Sequence, residues 1–303
     1  MTHIQRIRIL FFREAFNRRF SFYDRFRLGT IAQELPAYVE LVFGIQPELL
    51  GASHVVIFDV PFAMRDIVNG RIPKYENQIW VGWCMECEEN YPWLKEPMVK
   101  ELFDVWMTYH TDADIVLPYY DADYSTRLLI PPAPKSKDVC MFISSMVNRS
   151  KRQEYLLELM EYLPIDSYGR WQNNKQLLGD NGYQTKMELM RNYRFTIAFE
   201  NAIGEDYVTE KFYEPLLFGS VPVYLGAPNI NMFSPDSSSF IDVRNYPNPS
   251  DLARIIKEYC DDEQRYAQLF SWKSRPMNHK FISLLEQQET HPFLRLIDLL
   301  EIV

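Results

Sequence analysis

The sequence lacks both of the glycine fingerprints that α/β proteins use to cradle nucleotide phosphates. There is no GxGxxG and no GxxxxGK[ST], so neither the Rossmann turn nor the P-loop is present. Cysteine is scarce: the four residues Cys84, Cys87, Cys140 and Cys260 in a chain of 303 are too few for a disulfide scaffold. Cys84 and Cys87 form a CxxC, but no second CxxC and no ligand-spaced histidine pair completes a zinc site. A redox role is the alternative; two ordinary thiols near a strand end is the simpler reading. The five histidines (His3, His54, His110, His279, His291) are scattered and make neither a triad nor HExxH. No apolar run approaches a membrane span, and MTHIQRIRILFF is too charged and short for a signal peptide. The chain as written is therefore expected to be cytoplasmic.

Positive charge is lacking too. A formal net charge of −9 argues against nucleic acid as a partner, because neutralising phosphates needs a basic surface. Only the first 27 residues run the other way, with seven arginines against Glu14 and Asp24. A solvated edge is the plain reading of this cluster, and peripheral contact with anionic lipid, hence membrane association, is the other.

What is present is the composition of a folded protein, 47% apolar and 24% charged. The length suits one large domain or two of ordinary size. IRILFF (Ile7–Phe12), VVIFDV (Val55–Val60) and IWVGW (Ile79–Trp83) are continuous and apolar, as parallel strands covered on both faces should be. A proline- and lysine-containing tract near residues 131–138 predicts a linker. After it the alternation resumes. VCMFISS, IDSYG, FTIAF, VPVYLG and SFIDV read as strands, and RQEYLLELMEYL (Arg152–Leu163), KMELMRNY and EKFYEPLLF as helices. Ser250 is a candidate N-cap for a helix carrying Leu252, Ile255, Ile256 and Tyr259 on one face. The pattern predicts an α/β fold of two Rossmann-like domains with parallel sheets. Their expected limits are 1–130 and 139–275, followed by a helical tail, 276–303, that packs back across a domain. Ligands of such sheets bind beyond the carboxyl ends of the strands, in a cleft between the domains.

FENAIGEDYVTEKF (Phe199–Phe212) places four carboxylates and one lysine where an apolar strand meets a helix. A helix N-terminus offers free N–H groups and the positive end of its dipole, a site for diphosphate. Lys211 falls in that first turn, with Asp206 or Thr209 as the cap, and a cation there is unfavourable unless an anion accompanies it. Pro215 is tolerable in a first turn, so the helix starts near Lys211 or is kinked. Gly219 suits the C-cap. Glu205 reads as solvated, whereas Glu210 can clamp a sugar diol and Tyr207 can donate a phenolic hydrogen bond or stack.

FTIAFENAIGEDYVTEKFYEPLLFGSVPVYLGAPN resembles the signature segment of the α1,3/α1,4-fucosyltransferases, glycosyltransferase family 10. Weaker similarity reaches DVCMFISSMVNRSKRQEYL, IDSYGR, SFIDV with its DLARII helix, FSWK, QIWVGWCMECEEN and MTYHTDADIVLPY, covering most of residues 77–275. The resemblance implies a GT-B fold and an inverting transfer of L-fucose from GDP-fucose to an N-acetylglucosamine or glucose hydroxyl, α1,3 or α1,4. Its partners would be GDP-fucose and an oligosaccharide containing galactose and N-acetylglucosamine. By the same resemblance Arg152 and Lys211 contact the diphosphate, and Tyr207 and Glu210 the ribose or fucose hydroxyls. Asn201, Tyr168, Ser144 and Ser145 complete the donor pocket. Glu86 aligns with the general base, although Glu88 and Glu89 follow closely and are alternatives. Ser145, Ala202 and Pro215 depart from the family pattern.

The chemistry requires a base on the acceptor side and cations around the departing diphosphate. Asp112 with Asp114, and Asp121 with Asp123, invite a divalent metal. The first pair lies in a segment that does not hold nucleotide in the family, so no metal site is assigned and no cofactor is required; Mn²⁺ or Mg²⁺ stimulation stays open. Tyr119, Tyr120 and Tyr124 could stack on a sugar or simply pack. The rival readings are a GT-B transferase using another nucleotide sugar and a carbohydrate- or nucleotide-binding protein without turnover.

Overall fold

The computed structural model describes residues 6–12, 34–120, 123–177 and 179–300. Most of the arginine-rich N-terminus, and Asp121, lie outside these residues. The chain forms two compact units, Met1–Leu117 with Thr290–Val303, and Pro118–Glu289.

The first unit is built on a six-stranded parallel sheet, among the described residues, in the order β2-β1-β3-β4-β5-β6. Its strands are β1 (Ile7–Phe12), β2 (Val39–Gly44), β3 (Val55–Asp59), β4 (Ile79–Cys84), β5 (Val105–Thr108) and β6 (Ile115–Val116). All five residues of β3 are buried, which is why this strand reads as an unbroken apolar run instead of an alternating one. One face packs Leu10, Val56, Phe58, Trp80 and Phe103 together, with the Phe58 and Trp80 ring centroids 4.7 Å apart. The closing helix Pro292–Leu299 belongs here: Phe293 meets Phe11 at 5.2 Å, and an Arg295 guanidinium nitrogen donates to the Val116 carbonyl at 2.8 Å.

The second unit carries a five-stranded parallel sheet of β7 (Lys137–Met141), β8 (Asp166–Ser167), β9 (Tyr193–Phe199), β10 (Val221–Leu225) and β11 (Ile241–Asp242). Its order is β8-β7-β9-β10-β11. Counted within each unit, the first sheet runs 2-1-3-4-5-6 and the second 2-1-3-4-5, the doubly wound order whose direction reverses between the first and third strands. That reversal falls between β7 and β9.

The boundaries differ from the sequence expectation at both ends. The proline tract is not the break; the chain divides after Leu117, and the helix Tyr124–Leu128 belongs to the second unit. Tyr124 is 2% exposed, and its hydroxyl donates to the Tyr213 carbonyl at 3.1 Å. The expected tail also splits. The helix His279–Glu286 buries Phe281 in the core of the second unit, and only the residues from Thr290 return to the first. Polar composition marked a surface path, whereas burial of Tyr124 and Phe281 decided membership. The long helix Pro249–Asp261 starts one residue before Ser250: Asn248 is its N-cap and Pro249 its first residue, where the missing N–H costs nothing.

Candidate active site

The site in the second unit begins at the strand reversal. Chain leaving β7 and chain leaving β9 separate there, and the space between them is a cavity of about 230 Å³. Ile143, Ser144 and Ser145 wall it beyond β7, Phe199 at the end of β9 and Asn201 beyond it, and Glu210 and Lys211 from the helix Glu210–Phe218. Ligand pockets usually run roughly 300–1,000 Å³, so this space suits a diphosphate-sized part of a ligand better than a whole nucleotide sugar.

Glu200 continues β9, its N–H donating to the Leu225 carbonyl at 2.8 Å, yet it is fully buried. A buried carboxylate must be hydrogen-bonded and paired. Here the Thr209 N–H donates to it at 2.8 Å, and the Thr209 hydroxyl lies 2.9 and 2.8 Å from its two oxygens. Thr209 is also the N-cap of the next helix. The Lys211 ammonium closes the network, 2.9 Å from the Thr209 hydroxyl, 3.0 Å from Glu210 and 3.3 Å from Glu200. Burial alone would depress the Lys211 pKa, but the charges of Glu200 and Glu210 outweigh it and hold the ammonium above its usual value. For Glu200 burial pushes upward and Lys211 pulls back. The anion that accounts for a lysine at this helix start is thus supplied by the chain itself. Pro215 sits well inside the helix, beyond the first turn, and Gly219 at φ 73° is the left-handed C-cap.

Arg152 begins the helix Arg152–Tyr162 and is 1% exposed. One terminal nitrogen donates to the Phe199 carbonyl at 2.9 Å, the other to the carbonyls of Ser145 at 3.0 Å and Val147 at 3.2 Å. Its Nε is buried without a hydrogen-bond partner, and burial lowers its pKa against the pull of Glu200, Tyr207 and Glu210. Arg152 therefore shapes the wall by tying the two departing loops together, while one donor stays unused.

The structure gathers Ser144, Ser145, Arg152, Asn201, Glu210 and Lys211 around one cavity. Tyr207 and Tyr168 are not on its wall. Tyr207 is buried with its hydroxyl 3.3 Å from Asn201 Oδ1. Tyr168 stacks on Phe142, and its hydroxyl lies 2.7 Å from that of Tyr193. Glu205 is exposed. Two groups that the sequence reading passed over stand on the wall, Lys186 and Glu214, joined as an ion pair. A single lysine on a short polar helix carries no sequence signal. Glu200 did carry one, a charge placed directly at the end of an apolar strand, and the reading assigned it no role.

In the first unit the carboxylates beyond β4 separate by environment. Glu88 accepts the Tyr109 hydroxyl at 2.6 Å and is paired with His110; burial raises its pKa, but these partners outweigh that and lower it. Glu89 is paired with Lys95 near the surface. The Glu86 carbonyl receives the Cys84 thiol at 3.5 Å. Cys84 and Cys87 are free and buried, and burial pushes Cys87 up to about 11, so both remain thiols. Asp114 accepts the Trp106 N–H at 2.7 Å, a structural role. Tyr124 packs on Tyr120, Tyr213 and Phe281, an interior position with no face left for sugar.

Residues 132–301 match Glycosyltransferase family 10 (fucosyltransferase) C-term, and residues 5–120 match Fucosyltransferase, N-terminal. The chain belongs to glycosyltransferase family 10. The human 4-galactosyl-N-acetylglucosaminide 3-alpha-L-fucosyltransferase 9 is 31% identical over 235 residues, 74% of this chain and 62% of that protein. A fucosyltransferase-like protein of Arabidopsis thaliana is 33% identical over 196 residues, 64% of this chain and 37% of that one. The Xenopus laevis GDP-fucose protein O-fucosyltransferase 3 is 41% identical over 130 residues, 41% of this chain and 28% of that protein. The chain thus spans less than two thirds of the length of these relatives. A solved alpha1,3-fucosyltransferase superposes with a TM-score of 0.70 at 18% identity, over 99% of this chain and 91% of its own. The fold is accordingly of the family 10, GT-B type, an α/β architecture with two parallel sheets. The family 10 signature FENAIGEDYVTEK covers the end of β9, the Glu200 network and the helix that presents Lys211.

Proposed function

We propose that this protein is an inverting fucosyltransferase that moves L-fucose from GDP-fucose to an N-acetylglucosamine or glucose hydroxyl of a glycan, forming an α1,3 or α1,4 bond. The observation that carries the reading is the cavity at the β7–β9 reversal, walled by Lys211 and Glu210 at the start of a Thr209-capped helix. A diphosphate there meets the helix N-terminus and the Lys211 ammonium, which neutralise charge as GDP departs. Lys186, beside them, adds a second cation, and the unused Arg152 Nε a further donor. Glu210, Asn201 and the Tyr207 hydroxyl are suited to sugar and ribose hydroxyls. The positive charge comes from protein groups, so the reading needs no dedicated metal; Mg²⁺ or Mn²⁺ would stimulate by screening.

Inversion requires a base on the acceptor. Glu86, which aligns with the base of the family resemblance, is assigned that role, with Glu88, which is held by Tyr109 and His110, and Glu89, which is paired with Lys95, as the alternatives. It would take the acceptor proton as the hydroxyl oxygen attacks the anomeric carbon and the bond to GDP breaks. Glu86→Gln is expected to bind GDP normally in calorimetry and to lose transfer, while Lys211→Ala loses both. Transfer by Glu86→Gln at the wild-type rate would remove the base assignment. Competition of GDP-fucose against GDP-mannose and UDP-sugars tests the donor. Failure to release GDP with any galactose–N-acetylglucosamine acceptor would favour a binding protein. The identity shared with a protein O-fucosyltransferase supports a second acceptor class, so the acceptor panel, read by mass spectrometry, should include folded polypeptides.

A further inference from the structure

Lys186 and Glu214 belong to different helices, Tyr183–Arg191 and Glu210–Phe218, and meet on the cavity wall as an ion pair. Glu214 lies one turn beyond Glu210 and Lys211, and that spacing turns all three toward one side of their helix. The helix that carries Lys186 is lightly anchored: of its nine residues only Met190 is buried.

Charge around this cavity is balanced. Arg152, Lys186 and Lys211 share the wall with Glu210 and Glu214, and buried Glu200 is paired to Lys211. A diphosphate entering such a site gains strong attraction only where a cation exchanges its carboxylate for a phosphate. The three cations are not equally able to do so. Arg152 is committed to the carbonyls of Phe199, Ser145 and Val147. Lys211 donates to the Thr209 hydroxyl at 2.9 Å and to Glu210 at 3.0 Å, with Glu200 at 3.3 Å. Lys186 is held differently. Its ammonium stands over the Phe142 ring, 5.8 Å from the centroid, and faces Glu214 Oε2, a buried oxygen that no well-directed hydrogen bond reaches. Charge-assisted hydrogen bonds are the stronger links, so Lys186 has the least to lose by turning away. The lysine side chain is 27% exposed and the glutamate 12%, so the cation is the partner free to move.

We propose that Lys186 is a mobile cation, stored on Glu214 in the free enzyme and exchanging that carboxylate for a phosphate of the donor, with Glu214 as the positioning residue that aims it and limits how tightly GDP is held. The proposal rests on the reading of this cavity as the diphosphate site. Burial pushes the Glu214 pKa up; Lys186 pulls it back, Glu210 adds to the rise and Lys211 opposes it. Once Lys186 turns to phosphate, the carboxyl takes up a proton instead of standing buried and charged.

Calorimetry on the full chain, with GDP and with guanosine as a probe lacking phosphate, tests the exchange. Lys186→Met should weaken GDP about tenfold or more and change guanosine by less than about twofold. Glu214→Gln releases the lysine, so GDP should bind about threefold tighter or more. The double variant Lys186→Met, Glu214→Gln buries no unpaired charge, which keeps the test open if Lys186→Met alone does not fold; it should bind GDP about tenfold or more weakly than Glu214→Gln. Binding of GDP to the wild type should take up more protons than binding to Glu214→Gln, read from enthalpies in buffers of different ionisation enthalpy. Unchanged GDP affinity on losing Lys186, guanosine weakened in step with GDP, weaker GDP binding by Glu214→Gln, or equal proton uptake overturns the exchange. Lys211→Ala separates the two readings. GDP bound there at wild-type strength would remove the diphosphate site itself, whereas loss with Lys211→Ala and none with Lys186→Met removes the role of Lys186 alone.

Discussion

Glu200 shows how one residue ties folding to the site. Its carboxylate is buried, so its stability depends on Thr209 and Lys211 remaining in place. Lys211→Met strips the cation from a buried acid and should cost roughly 3 kcal/mol; adding Glu200→Gln should recover most of the loss, because the buried charge goes too. Urea denaturation of the two single variants and the double variant measures the coupling, and strict additivity would show that the ion pair is not the source. Asp59, at the end of β3 and pushed up chiefly by burial, sets a pH dependence of the opposite kind. Between its ordinary 3.8 and about 8 the folded protein holds a proton that the unfolded chain has released, so this group's contribution to stability declines as pH rises through that window. The stability difference between pH 5 and pH 8 should shrink by about 2 kcal/mol or more in Asp59→Asn; an unchanged difference would mean that Asp59 is ionised in the native state.

Among the elements, the capped helix Glu210–Phe218 and the YGR turn after β8 frame the cavity. Thr209→Ala removes both the cap and two of the contacts to Glu200, and should cost about 2 kcal/mol, above the usual cap penalty of about 1. The turn is more severe. A Cβ on Gly169 would fall 2.0 Å from the Ile143 carbonyl oxygen, and that backbone is the cavity wall. Gly169→Ala must push Ile143 and Ser144 aside, so GDP affinity measured by calorimetry should drop even where circular dichroism shows a folded chain; unchanged affinity would separate this wall from the nucleotide. The elements themselves were largely legible. IRILFF, VVIFDV, FTIAF and VPVYLG advertise parallel strands because both faces are covered, and Thr209 and Gly219 mark their helix because caps are local chemistry. Pro215 was harder to place: it occupies the interior of a helix, where its own preference argues against it and burial against neighbouring elements prevails.

At the scale of the whole molecule, the chain visits the first unit twice. Phe293 and Leu296 are buried with the first sheet's unit although the 172 residues of the second unit intervene. Deleting residues 290–303 should therefore lower the thermal midpoint of the first unit and leave GDP binding by the second intact. A loss confined to the second unit would contradict the division. A polar proline tract suggested a boundary some residues too late, since composition reports where a chain meets water and not which core its next apolar residue enters.

By itself the sequence determined the α/β class, the parallel sheets, the capped helix after FENAIGEDYVT and the family signature, because strand burial, capping and motif spacing are all written in contiguous residues. Only the tertiary structure decided which charges meet. Glu200 with Lys211 and Lys186 with Glu214 are each brought together by strand register or helix docking. Such pairings depend on where a carboxylate is deprived of water, and no stretch of sequence carries that alone.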